Sequence, residues 1–185
     1  MALDSMREIF EKAAAGQIPF WQVILETDME QRQVTAEQSM EKMRVTWQAM
    51  LESVTAYQGT ERSRSGLVGG DGEKMRQYVE SGKGLCGAYL REVVATALSV
   101  GESNACMRKI VAAPTAGACG VLPAVLVPLY QAGMVSEEQI LQALYAASGI
   151  GAVIGYRACI AGAAGGCQAE IGTASAMAAG ALASI

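Results

Sequence analysis

The apolar residues of this chain are mostly small. Of its 185 residues 51% are hydrophobic, yet only 5% are aromatic and 21 are glycine. The last stretch, Cys167 to Ile185, consists mainly of Ala, Gly, Ser and Thr. Side chains of that size let helices approach closely, whereas pleated strands draw on β-branched and aromatic residues. Alternating Val, Ile or Thr runs are scarce, and no Asn-Gly hairpin turn occurs. The expected fold is therefore all-α: a small-residue-rich helical domain over residues 59–185, preceded by an amphipathic helical arm over 1–58.

Helix signals recur along the chain. Residues 1–15 form an amphipathic stretch closed by Gly16 and Pro19, and Phe20 to Glu30 begin a second helix. Thr35 with Gln38 is a capping-box signature, as is Ser136 with Gln139. Met40, Met43, Trp47, Met50 and Val54 follow at three- and four-residue spacing and share one helix face. That face is either core or an adaptable docking surface. Residues 59–72, GTERSRSGLVGGDG, read as a loop and mark the boundary between arm and domain. Further helices are expected over Glu73–Ser81 and over Leu85–Val100, the latter ending at Gly101. Val121–Tyr130 reads as one kinked helix or two short ones because of Pro123 and Pro128. Glu137–Cys159 has helical length despite its glycines, and a break at Gly162–Gly166 precedes a final helix from Cys167.

Charge and composition narrow the function. Fourteen Lys and Arg against 18 Asp and Glu leave a net charge of -4, which gives no electrostatic footprint for nucleic acid or an anionic membrane. The N-terminal stretch is charged throughout and does not read as a signal peptide, so a cytoplasmic chain is expected. The five cysteines, Cys86, Cys106, Cys119, Cys159 and Cys167, are then reduced thiols rather than a disulfide framework. Histidine is absent, which removes the commonest general base and metal ligand.

Several motifs have an ordinary structural reading beside the chemical one. Gly149, Gly151 and Gly155 imitate a dinucleotide fingerprint, but the third glycine is one place late and a helix-capping signal precedes it. Ile140–Tyr156 is apolar but short and Gly-rich, a buried helix rather than a membrane span. Lys83 in SGKG is a solvated turn lysine, not a pyridoxal-phosphate anchor. No two cysteines are spaced as C-x-x-C, which excludes a local zinc finger. Cys167 after Gly165-Gly166 can be a packed thiol, or it can ligate iron where glycines let a bulky cluster approach the backbone.

The run from Ile160 to Gly172, IAGAAGGCQAEIG, resembles a signature of the iron–sulfur-dependent L-serine dehydratases. The alpha chains of that family also resemble this sequence at Val68–Gly72, at Ser81–Leu85 and over Ala112–Pro123, in the same order. The resemblance implies a [4Fe–4S] cluster held by three cysteines, with Cys167 as one, and no pyridoxal phosphate. The other two ligands of the family lie in motifs of the LVCDPVAG and VEVPC kind, which this sequence does not contain. Cys86, Cys106, Cys119 and Cys159 stand where the family has small residues, so no ligand role passes to them. The chain resembles the N-terminal portion of the alpha chain, expected to be inactive alone.

The chemistry so implied is conversion of L-serine to pyruvate and ammonia, in which an iron free of protein ligands makes the serine hydroxyl a better leaving group. The base that takes the α-proton is another side chain or belongs to a beta chain, the expected partner in a homo- or hetero-oligomer. Pro114, Thr115, Ala116 and Gly117 are candidates to cradle the substrate carboxylate through backbone N–H groups, or else form a packing turn. The alternative function is a non-catalytic helical module that docks a partner, which exposure of Met43, Trp47 and Met50 would favour.

Overall fold

A computed structural model describes residues 4–185. Among them are eight α-helices, one 3-10 turn and no strand, so the chain is all-α as its composition implies. The helices are α1 (Met6–Gly16), α2 (Phe20–Arg32), α3 (Ala36–Thr55), α4 (Asp71–Glu80), α5 (Ala88–Ala105), α6 (Val121–Gln131), α7 (Glu137–Arg157) and α8 (Gly162–Ala183). None of the described helices is long and apolar enough to cross a membrane.

Both capping boxes form. Thr35 Oγ1 accepts from the Gln38 N–H while the Thr35 N–H donates to Gln38 Oε1. Ser136 and Gln139 do the same at the start of α7. Each pair satisfies amides that the first helical turn would otherwise leave without acceptors. Pro123 falls in the first turn of α6, where its missing N–H removes nothing, and Pro128 is carried inside, so residues 121–131 form one helix. One expectation needs correction: Gly101 does not end α5, which continues to Ala105 and closes at Cys106, whose N–H donates to the Glu102 carbonyl. Gly101 is exposed and meets no neighbour, so it costs the helix only its intrinsic propensity.

The chain divides into two compact units, and the boundary expected after residue 58 is not the one its contacts follow. The first unit comprises the residues up to Trp47 together with Val135–Ile185; the second is Gln48–Met134. In the first, α1 packs on α2, α2 on α7, and α7 on α8. Ile9, Val23, Ile24 and Leu25 share one core cluster with Tyr145 and Val153, so the first two helices are not an appended arm. Their apolar residues are covered by a helix that lies more than a hundred residues later in the sequence. Gly149 makes room for Ile24, since a Cβ there would lie 2.5 Å from Ile24 Cδ1, and Gly151 does the same for Met177 of α8, 2.8 Å from its Sδ. The glycines that imitate a nucleotide motif are thus notches for helix packing.

In the second unit α5 packs against α4 and α6. Val100, Leu122, Leu126 and Val127 are buried there, each worth about 2 kcal/mol in apolar surface removed from water. A Cβ on Gly120 would lie 2.8 Å from the Ala97 carbonyl oxygen, which fixes how closely α6 starts against α5. The Met and Trp face of α3 is turned inward: Trp47 is fully buried, Met50 and Val54 are buried, and Met40 and Met43 are half-buried. That removes the observation on which a docking module would rest.

Candidate functional site

Cys167 belongs to the first unit and sits where α8 changes direction. Gly166, immediately before it, has φ 79 and ψ 169, outside helical space and accessible essentially to glycine alone. A Cβ at 166 would meet nothing within 4 Å, and Cys167 itself is exposed. Around it the turn is closed by the Ala164 and Gly165 N–H groups, both donating to the Ala161 carbonyl. Cys159 is also exposed and its thiol reaches the Ala161 carbonyl at 3.8 Å. From Gly155 to Gly172 every side chain is exposed or half-buried, with Tyr156 and Ile171 among the exposed large apolar residues. The arrangement fits one corner of an inorganic cluster: a free, exposed thiol preceded by a glycine with open space where its Cβ would be. Among the described residues no three His, Cys, Asp or Glu side chains gather as a metal site.

Pro114–Gly117 belong to the second unit. Ala113–Pro114 is a cis peptide, Pro114 and Thr115 are half-buried, and Ala116 and Gly117 are exposed at the start of the 3-10 turn Ala116–Ala118. Asn104 of α5 anchors the turn by donating from Nδ2 to the Ala116 carbonyl, 3.0 Å away. Cys119, at the end of the turn, is buried, and burial pushes its thiol pKa up. It behaves as a core residue, whereas Cys86 is exposed and Cys106 half-buried at the end of α5.

The VGGDG motif proves to be a folding device. Gly70 begins α4 without a side-chain cap. The caps come from elsewhere: the Asp71 N–H donates to Glu102 Oε1 at 2.6 Å, and the Glu73 N–H donates to the Tyr57 hydroxyl at 3.0 Å. Tyr57 in turn donates to Glu102 Oε2 at 2.5 Å, so a buried carboxylate and a phenol together close the amide end of α4. Burial first, and then the Glu102 hydrogen bond, push the Tyr57 pKa up to about 12. Gly72 is buried under this pair, since a Cβ would lie 2.8 Å from the Tyr57 hydroxyl and 2.9 Å from Ser99 Oγ. Gly69, at φ 137, has the Glu61 carbonyl oxygen where a Cβ would be. Sequence reading missed Tyr57 and Glu102, which lie 45 residues apart and carry no local signature.

A second polar network lies in the first unit, between α2, α3 and α7. Ser39 Oγ is 2.5 Å from Asp28 Oδ2 and 2.6 Å from the Tyr145 hydroxyl, and Arg32 pairs with the same Asp28 oxygen at 2.8 Å. Ser39 and Tyr145 are both buried, and burial raises the Tyr145 pKa.

The family model "Serine dehydratase alpha chain" matches residues 15–185. A probable L-serine dehydratase alpha chain of Bacillus subtilis is 36% identical over 178 residues, 96% of this chain and 59% of that protein. The L-serine dehydratase alpha chain of Peptoniphilus asaccharolyticus is 36% identical over 181 residues, 97% of this chain and 62% of that one. L-serine dehydratase 1 of Escherichia coli is 44% identical over 90 residues, 48% of this chain and 20% of that protein. This chain therefore spans about three fifths of the length of the alpha chains it matches. No solved structure matches it.

Proposed function

This chain belongs to the family of serine dehydratase alpha chains, and from that premise we propose that it forms part of an L-serine ammonia-lyase that turns L-serine into pyruvate and ammonia. Its cofactor is a [4Fe–4S] cluster and its partner a beta chain. The observation that carries this reading is the setting of Cys167: an exposed thiol behind a glycine in non-helical conformation with nothing beside it. A packed thiol such as Cys119 has neither the access nor the space.

The cluster, when bound, supplies Lewis acidity toward the serine hydroxyl. Cys167 contributes one sulfur to holding it. Gly166 keeps the approach to that sulfur clear of side-chain atoms. Thr115, Ala116 and Gly117 receive the substrate carboxylate through backbone N–H groups; Pro114, which has no N–H, heads the turn, and Asn104 holds it in place. The Tyr57–Glu102 pair orders the VGGDG segment. The enzyme works in the cytoplasm.

The test is iron content and visible absorbance. This chain alone stays colourless after anaerobic treatment with iron and sulfide, because one family ligand does not hold a cubane cluster. In the assembled enzyme Cys167→Ser loses iron, colour and activity together, whereas Cys106→Ser and Cys119→Ser keep their iron. Full iron in the Cys167 variant would overturn the assignment.

A further inference from the structure

A crevice of about 220 Å³ opens in the first unit where α2, α3 and α7 meet. That is room for a small metabolite of a few heavy atoms. None of its residues belongs to the motifs that carry the family resemblance. Its inner wall holds Asp28, Ser39 and Tyr145, and Lys42 and Arg32 line it as well. Ile24 and Met43 supply the apolar surface.

The hydrogen-bond balance of these groups specifies a ligand. Ser39 has one proton and faces a carboxylate oxygen 2.5 Å away, so it donates to Asp28. The Tyr145 hydroxyl, 2.6 Å from the same Ser39 oxygen, must then donate to Ser39. That consumes the phenolic proton and leaves the Tyr145 oxygen as an acceptor. On Asp28 the contacts from Ser39 and Arg32 both fall on Oδ2, which leaves Oδ1 to accept as well. Acceptors are therefore in surplus on the buried Tyr145 and the half-buried Asp28, and they suit a donor. The opposite holds for the cations. Lys42 is exposed and forms no ion pair among the described residues, and Arg32 commits only its NH1 group to Asp28. These offer surplus donors and call for an anion.

A simple anion would leave the Asp28 and Tyr145 acceptors unanswered, and a simple cation would lie beside Lys42 and Arg32. A molecule with both charges a few bonds apart replaces water at both ends at once, which neither single-charge ion does. We propose that the crevice binds a small α-amino acid as its zwitterion, with the ammonium toward Asp28 and the Tyr145 oxygen and the carboxylate toward Lys42 and Arg32. Its side chain lies on Ile24 and Met43, which selects small apolar or hydrogen side chains over charged ones.

Calorimetric titration of this chain with glycine and with L-alanine tests the proposal, with acetate and methylammonium as single-charge controls. Neither amino acid has a leaving group on its β-carbon, so no turnover complicates the titration, and a variant at Lys42, which lies outside the unit of the Pro114–Gly117 turn, separates binding here from binding at that turn. Saturable binding of L-alanine is expected, with each control at least about tenfold weaker, the loss that goes with one charge-assisted hydrogen bond. Lys42→Gln, at an exposed position that leaves the fold and its circular dichroism unchanged, weakens L-alanine at least about tenfold; Asp28→Asn does so from the other end. Absence of saturable binding, equal binding of acetate, or an unchanged Kd in the Lys42 variant would each overturn the proposal.

Discussion

Two glycine-rich motifs of this chain, VGGDG and GGCQAE, invite the same reading on paper and do opposite things in space. In the first, Gly69 and Gly72 are pressed against Glu61, Tyr57 and Ser99, and the loop is bound into the helix it precedes. In the second, Gly166 faces open space and the thiol after it is exposed. Glycine is needed at 69 and 72 because other atoms are already there, and at 166 because the backbone takes φ 79, with open space where a Cβ would be. A motif shared with a family therefore marks a constraint, and the surroundings of its missing Cβ atoms tell whether packing or backbone conformation imposes it.

The contrast can be attacked at the motif predicted to be most sensitive. Gly69→Ala places a Cβ on the Glu61 carbonyl at a φ of 137, and about 3 kcal/mol of stability is expected to disappear in urea unfolding followed by circular dichroism. A loss under about 1 kcal/mol would move VGGDG into the open class and break the comparison.

Tyr57→Phe should cost about 2 kcal/mol, since it withdraws a hydrogen bond from the buried Glu102 carboxylate and the acceptor from the Glu73 amide. It also carries a pH signature. The folded Tyr57 pKa, about 12, lies above its ordinary value of 10.0, so the neutral phenol is favoured by folding. That contribution is complete below pH 10.0 and is lost as pH rises through about 12. Wild-type protein should lose stability over that window by more than the Tyr57→Phe variant does. Equal slopes would mean that the phenol is not held as described.

At the open motif the effect should be smallest. Gly166→Ala is expected to cost about 1 kcal/mol, from backbone conformation alone, because the added methyl meets nothing. Differential scanning calorimetry that finds a cost as large as at Gly69 would show that the second motif is packed too.

Most of the helices were legible because their signals are local. The Thr35–Gln38 and Ser136–Gln139 boxes, the break at Gly166 and the stripe from Met40 to Val54 all depend on residues within a few turns of one another. Gly101 misled because a glycine caps a helix when it takes up the left-handed conformation itself, and here it stays helical. The candidate site is suggested by the sequence only through resemblance, since one cysteine after two glycines has no chemistry of its own to declare. Tyr57 with Glu102, and Ser39 with Tyr145, were invisible for a different reason: their partners lie 45 and 106 residues apart, and no periodicity spans such distances.

The cluster that joins Ile9, Val23, Ile24 and Leu25 to Tyr145 and Val153 also sets a timetable. On a ribosome, α1 and α2 emerge long before α7, and at 5–20 residues per second the interval from Ile24 to Gly149 is about 6–25 s. Throughout it these two helices can cover one another and the start of α3, but the part of their apolar faces that α7 covers stays open, while residues 48–134 have every partner of their own unit as soon as α6 is out. The later-made unit thus finishes first, and the opening helices of the chain are the segment that a holding chaperone would find during synthesis.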